Sequence, residues 1–101
     1  MDGLWIRPMK VEDIDEVLYI EKLCFSTPWS REAFRTEVES NHCARYVVAE
    51  LEGRVIGYGG MWIILDEAHI TNIAVHPKYR GRGVGEALME GLIDTASRLK
   101  V

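Results

Sequence analysis

The run Arg80-Gly81-Arg82-Gly83-Val84-Gly85 does most to limit what this chain can become. Before it, Ala68 to Val75 (AHITNIAV) is β-branched and reads as a strand. After it, Val84, Leu88, Leu92, Thr95 and Leu99 recur at helical spacing, predicting a helix from Gly83 that runs to Lys100. A strand must therefore pass through glycine directly into a helix. The first amides of a helix have no intrahelical acceptors and carry partial positive charge, so together they attract anions. Glycine at 81, 83 and 85 lets a phosphate approach the backbone, because no β-carbon stands in the way. Lys78, Arg80 and Arg82 place three cations in an acid-free stretch from His76 to Arg82, in a chain whose net charge is −4. That local reversal of charge predicts a polyphosphate ligand. Two common phosphate loops are excluded. A Walker loop needs Lys-Ser/Thr after its last glycine, and Gly85 is followed by Glu86 and Ala87. A Rossmann fingerprint starting at Gly81 and Gly83 needs glycine at position 86, which is Glu86.

The elements upstream fix the order in which this unit is reached. Leu4 to Arg7 is a strand candidate closed by Pro8. From Val11 the period changes: Ile14, Val17, Leu18 and Cys24 fall near one helical face, with Glu12 and Asp13 in the first turn. Phe25 to Pro28 reads as a loop. A second helix starts at Ser30 as N-cap, with Trp29 and Phe34 placed to form a hydrophobic staple and Ala33 and Val38 continuing inward. Ala44 to Leu51 and Arg54 to Leu65 read as antiparallel strands joined by Glu52-Gly53. Gly57, Gly59 and Gly60 in the second of these mark a bulge or a close approach. Asp66-Glu67 then leads into Ala68 to Val75 as a third central strand. The order is β-α-α-β-β-β-α. A strand and packed helix normally return to a parallel strand, so the unit is expected to be incomplete at Val101.

Composition narrows the function classes. A chain of 101 residues, 48% hydrophobic and 28% charged, fits one globular domain over residues 1–101. Its acidic balance argues against nucleic-acid binding as a main task. No apolar run approaches the roughly 20 residues of a membrane span, and MDGLWIRPMK lacks the pattern of a secretory signal. The expectation is a cytoplasmic protein. Cys24 and Cys43 have neither metal-ligand spacing nor a partner for nucleophilic catalysis, and are expected as small buried hydrophobes.

Arg80 to Gly85 matches the Gln/Arg-x-x-Gly-x-Gly/Ala signature of the GCN5-related N-acetyltransferases (GNAT), and the chain resembles that superfamily along its whole length. Asn72 to Pro77 and Phe25-Ser26-Thr27-Pro28-Trp29-Ser30 are most similar to its ribosomal-protein-alanine N-acetyltransferase branch. The resemblance implies an α/β (α+β) fold with a GNAT-like mixed sheet, lacking here the final strands and helix. It implies acetyl-CoA as cosubstrate. Ile73, Ala74 and Val75 would lie along the pantetheine arm, while Arg80, Gly81, Arg82, Gly83, Val84, Gly85 and Glu86 would hold the pyrophosphate. It also implies a bulge in the strand before the loop, and a base and an acid beyond Val101.

The reaction so implied is attack of a neutral amine on a thioester. An α-amine, with a pKa near 7.7–8.0, is roughly one-tenth neutral at pH 7, whereas a lysine is below about one in a thousand. A protein N-terminus, as of a ribosomal protein, asks less of the base. His69 is the candidate base, expected to share a face with Thr71, Ile73 and Val75. Glu67 is a second choice, and His42 and His76 are expected in exposed loops, with His76 beside the phosphate loop. Trp29 is explained by the staple, although its loop borders the peptide groove in relatives. Tyr58 and Trp62 fit either a cleft or the core. Two alternatives stay open: an acetyl-CoA-binding assembly module that pairs, for instance as a homodimer, through its open sheet edge; and a small-molecule or lysine acetyltransferase of the same fold.

Overall fold

A computed structural model describes residues 2–99. Four antiparallel strands form one sheet in the order β1 (Leu4–Pro8), β2 (Ala44–Leu51), β3 (Arg54–Ile64), β4 (Glu67–Val75). Helices α1 (Ile14–Cys24) and α2 (Arg31–Glu39) lie between β1 and β2 in sequence, and α3 (Val84–Arg98) follows β4. The predicted order is the observed one. The expected end of the last helix, Lys100, lies outside the described residues. Within them β4 is an edge strand and not a central one.

Both faces of the sheet are covered, which is why β2 and β3 are buried almost throughout. One core joins Ile14, Val17, Leu18 and Ile20 of α1 and Phe34 of α2 to Tyr46, Val48 and Tyr58. The other joins Val84, Leu88 and Leu92 of α3 to Val47, Ala49, Ile56 and Met61. The glycines of β3 serve these contacts. A β-carbon at Gly57 or Gly59 would press on Leu88 or Leu92 of α3, and one at Gly60 would enter the Tyr46 ring. The Glu52-Gly53 turn has positive φ at both residues, the geometry of a tight two-residue hairpin.

The start of α1 differs from the expected helix at Val11. Val11–Asp13 forms a 3₁₀ turn first, because Asp13 is drawn to Arg7 of β1. Arg7 Nη1 and Nη2 donate to the two Asp13 oxygens at 2.8 and 2.9 Å, and the Lys10 amide donates to Asp13 Oδ2 at 2.7 Å. Arg7 Nε also donates to Glu50 at 2.9 Å, tying β1, β2 and α1 together. Burial pushes the Asp13 carboxyl up, but the Arg7 and Lys10 hydrogen bonds together outweigh it and hold the group below its ordinary value.

A folded-state value below the unfolded one makes Asp13 stabilising above about pH 4, with that contribution lost as pH falls further. Asp13→Asn is expected to lower unfolding stability by about 2 kcal/mol at pH 7, the scale of hydrogen bonds to a charged group. Urea melts of variant and wild type should converge as the pH falls below about 4.

Candidate active site

The site is built from the two ends of β4. At its C-terminal end, His76 N donates to Ile56 O at 2.8 Å, so Ala74 and His76 turn their backbone groups toward β3. By alternation, those of Ile73 and Val75 face the open edge. The Val75 carbonyl there accepts from Arg80 Nε at 3.2 Å and from Cys24 Sγ at 3.5 Å. Ala74 is buried in the core, which holds this stretch against the sheet.

The loop from Arg80 to Gly83 reverses the chain through two left-handed residues, Gly81 (φ +78) and Gly83 (φ +83). No protein atom lies within 4 Å of where a β-carbon would stand at either, so backbone angle and not crowding requires glycine. Gly83 is the N-cap of α3 and has no side chain to cap it, unlike Ser30 of α2, whose Oγ accepts from Ala33 N. The amides of Val84, Gly85 and Glu86 are thus presented to a cavity of about 300 Å³ lined also by Val75, Tyr79 and Arg80. Arg82 lies over the Tyr79 ring, its Cζ 5.8 Å from the centroid. Arg80 is less free than the sequence suggests, since Nη2 donates to Cys24 Sγ at 3.2 Å. These residues suit a polyphosphate: exposed amides, nearby guanidinium groups and no blocking side chain.

Toward its N-terminal half β4 carries one extra residue. Gly60 pairs with Asn72 and Met61 with Ile70, leaving Thr71 as a bulge. The bulge corrects one expectation for His69. With the alternation broken at Thr71, His69 falls on the face of α1 and α2, with Thr71 and Ala74, and opposite to Ile73 and Val75. His69 is paired across the sheet with Trp62. Its side chain is 55% exposed, with Nε2 3.5 Å from Glu67. The two predicted candidates therefore stand side by side at the hairpin end.

Beneath the bulge lie two tyrosine–glutamate pairs that the sequence does not single out. Tyr46 OH donates to Glu37 Oε1 at 2.9 Å and lies 3.4 Å from Thr71 Oγ1, which donates to Asn72 Oδ1 at 2.9 Å. Tyr58 OH donates to Glu21 Oε1. Burial first, then the hydrogen bond and charge of Glu21, push the Tyr58 phenol up. Glu21 could have been found, because it falls on the apolar stripe of α1 with Ile14, Val17 and Leu18. Tyr58 is thus a core residue, whereas Trp62 is 38% exposed and donates its Nε1 to Glu37 at 2.6 Å. Trp29 packs on Phe34 with ring centroids 5.2 Å apart, as the staple requires.

Other expectations need correction. His76 is half-buried and not exposed: its Nδ1 accepts from Lys78 N and its ring lies between Tyr19 of α1, at 5.9 Å, and Tyr79, at 5.8 Å, so it backs Tyr79 and does not itself line the glycine-loop cavity. His42 is exposed. Cys24 is half-buried, but Cys43 is exposed, because the turn before β2 leaves it outside the core. No helix among the described residues is long and apolar enough to cross a membrane.

The acetyltransferase (GNAT) family model matches residues 14–101. The chain belongs to the GNAT acetyltransferase family. A Bacillus subtilis (strain 168) protein with the provisional name ribosomal protein bS18-alanine N-acetyltransferase is 44% identical over 89 residues, covering 88% of this chain and 59% of that relative. The ribosomal protein bS18-alanine N-acetyltransferase of Escherichia coli (strain K12) is 35% identical over 91 residues, with the same coverage. This GNAT chain thus spans 59% of the length of the curated relatives it matches. The crystal structure of the Escherichia coli ribosomal-protein-S18-alanine N-acetyltransferase superposes with a TM-score of 0.84 at 28% identity, over 94% of this chain and 60% of that one. A Thermoplasma acidophilum N-acetyltransferase in complex with coenzyme A shares the fold at a TM-score of 0.83 and 17% identity, over 94% of this chain and 72% of that one.

Gly83→Ala forces a β-carbon into the left-handed region at a cost of about 1 kcal/mol. Because the site around it is open, that loss should appear in thermal melts without a change in far-ultraviolet circular dichroism.

Proposed function

We propose that this chain grips acetyl-CoA at the loop between β4 and α3 and passes the acetyl group to the α-amine of a protein N-terminus, that of a ribosomal protein with an N-terminal alanine. The observation that carries the reading is the uncapped start of α3 behind two left-handed glycines, entered from a bulged edge strand. The acceptor class is supported by the names of the Bacillus subtilis and Escherichia coli relatives. On this reading residues 1–101 are the acetyl-CoA-binding part of one cytoplasmic domain with neither a nucleic acid nor a membrane as partner.

The amides of Val84, Gly85 and Glu86 and the backbone at Gly81 and Gly83 take the pyrophosphate, with Arg80 and Arg82 supplying positive charge. The edge-facing backbone groups of Ile73 and the Val75 amide pair with the pantetheine amides as a further strand would, while buried Ala74 holds the edge in place. When bound, the acetyl thioester supplies the electrophilic carbon and a thiolate leaving group. The chain has to hold a neutral amine beside the bulge and accept its proton. His69 lies on the face of Thr71 and is open to solvent, which suits that role. A C–N bond forms, the C–S bond breaks, the amine proton passes to His69, and the thiolate takes a proton from solvent.

Calorimetry should show salt-sensitive binding of both acetyl-CoA and 3′-dephospho-CoA. Failure of a folded chain to bind either overturns the loop assignment. His69→Ala should slow acetylation of N-terminal peptides by roughly 10²–10⁴, and unchanged turnover would remove His69 from the mechanism. Comparing N-terminal peptides with lysine peptides and polyamines separates the small-molecule and lysine readings. The edge position of β4 favours one further reading, in which that edge pairs with another chain; light scattering that gives a strict monomer at high concentration rejects it.

A further inference from the structure

We propose that Glu21 is the anionic anchor that holds the acceptor's primary ammonium in the cleft between the α1–α2 loop and the bulge of β4; this rests on the acetyltransferase reading above. Glu21 is only 3% exposed, yet it is one of the residues that line a cleft of about 320 Å³. The other walls of that cleft are Phe25, Ser26, Thr27, Trp29, Thr71 and Asn72, none of them cationic. Both carboxylate oxygens are held in place: Tyr58 OH donates to Oε1, and Trp29 N donates to Oε2 at 2.9 Å. Both donors are neutral. Among the described residues, every cation–carboxylate pair involves other acids: Asp13, Asp15, Glu16, Glu39, Glu50, Glu67 and Asp94.

A buried carboxylate fixed by neutral donors keeps a negative potential that water screens poorly. The charge is poised for a cation entering from the cleft. Neighbouring Ser26, Thr27, Thr71 and Asn72 offer further oxygens, which suits the three N–H donors of a primary ammonium. A lone carboxylate among hydroxyls and an amide is a poor set for a divalent ion, which takes several charged oxygens. The cleft touches Thr71, the bulged residue, so an ammonium held there lies next to the strand along which the thioester is proposed to run. Glu21 holds the ammonium as it arrives; one proton then passes to solvent to leave the neutral amine that attacks, and the second passes to His69 as the C–N bond forms. A positively charged amine is thereby selected from the pool of N-termini, and an already acetylated one is refused.

The test uses the whole chain and three alanine-starting hexapeptides titrated by calorimetry in saturating coenzyme A: one with a free α-amine, one Nα-acetylated, and one Nα-acetylated with a lysine at its second position. Wild type should bind the free-amine peptide at least tenfold more tightly than the plain acetylated one. Glu21→Gln should abolish that preference while leaving acetyl-CoA affinity within twofold of wild type. Thr27→Lys, at an exposed position on the rim, should likewise abolish it without disturbing the core; it decides the matter if Glu21→Gln fails to fold. Equal binding of all three peptides by wild type, binding of none, or a preference that survives in a folded Glu21→Gln or in Thr27→Lys overturns the proposal. A preference that appears only for the lysine peptide and depends on Glu21 upholds the anchor and overturns the α-amine acceptor. Failure of wild type to bind acetyl-CoA, with the amine preference intact when the peptides are titrated without coenzyme, strikes the coenzyme reading alone.

Discussion

Thr71 has no partner on β3, and the arrangement of the site follows from that one unpaired residue. An antiparallel strand alternates its side chains strictly, so an inserted residue reverses the faces of everything before it relative to everything after. Ile73 and Val75 pack toward α3, and Ala74 packs toward α1 and α2. Without the bulge His69 would have followed Ile73 and Val75 to the α3 side, away from Glu21, Tyr46 and Tyr58. With it, His69, Thr71 and the cleft beside Glu21 share one face. The bulge also breaks the ladder where Tyr46 OH approaches Thr71 Oγ1, so a polar network sits at the place where regular pairing stops.

The bulge is held by packing on both sides. Gly60, its neighbour on β3, leaves room for the Tyr46 ring to pass under the strand, and a side chain there would push Tyr46 away from Thr71 and Glu37. On the opposite face Gly57 and Gly59 let α3 settle close to the sheet, which fixes the position of its first turn relative to Val75. The glycine loop from Arg80 to Gly83 spans that short gap. Its two left-handed glycines follow from how near the strand end and the helix start are brought, and this links the packing of the core to the anion site.

Much of this was legible in the sequence because it depends on local chemistry. The strand and helix order, the Ser30 cap, the Trp29–Phe34 staple and the glycine loop each rest on residues close together in the chain. What escaped depends on contacts between distant residues. The bulge was implied by the family resemblance alone; AHITNIAV carries no signature of it or of its position at Thr71, which pairing with Gly60 and Met61 sets. The face of His69 could not be read without it. The 3₁₀ turn before α1 arises from Arg7 reaching Asp13 across β1. Glu21 lay in plain view as an acid on an apolar stripe, but its two donors, Tyr58 and Trp29, come from 37 and 8 residues away. Amphipathic periodicity notes only that such a residue is out of place.

The two ends of β4 carry opposite charge, and the separation suits a reaction between a polyanion and a cation. The loop after Val75 gathers helix amides with Arg80 and Arg82, whereas the cleft beside Thr71 holds the buried carboxylate of Glu21. On the proposed reading each reactant meets its complementary field at its own end, and neither is drawn to the other's site. The net charge of −4 then takes on a local meaning. It leaves the basic loop as the feature that draws a polyphosphate, while the acidic surface elsewhere repels it. On the same reading, a coenzyme approaching from solution is guided to the helix end first, and its thioester reaches the bulge only by lying along the open edge of β4. The strand would then act as a ruler, its pairing register setting how far the proposed thioester lies from the proposed amine anchor.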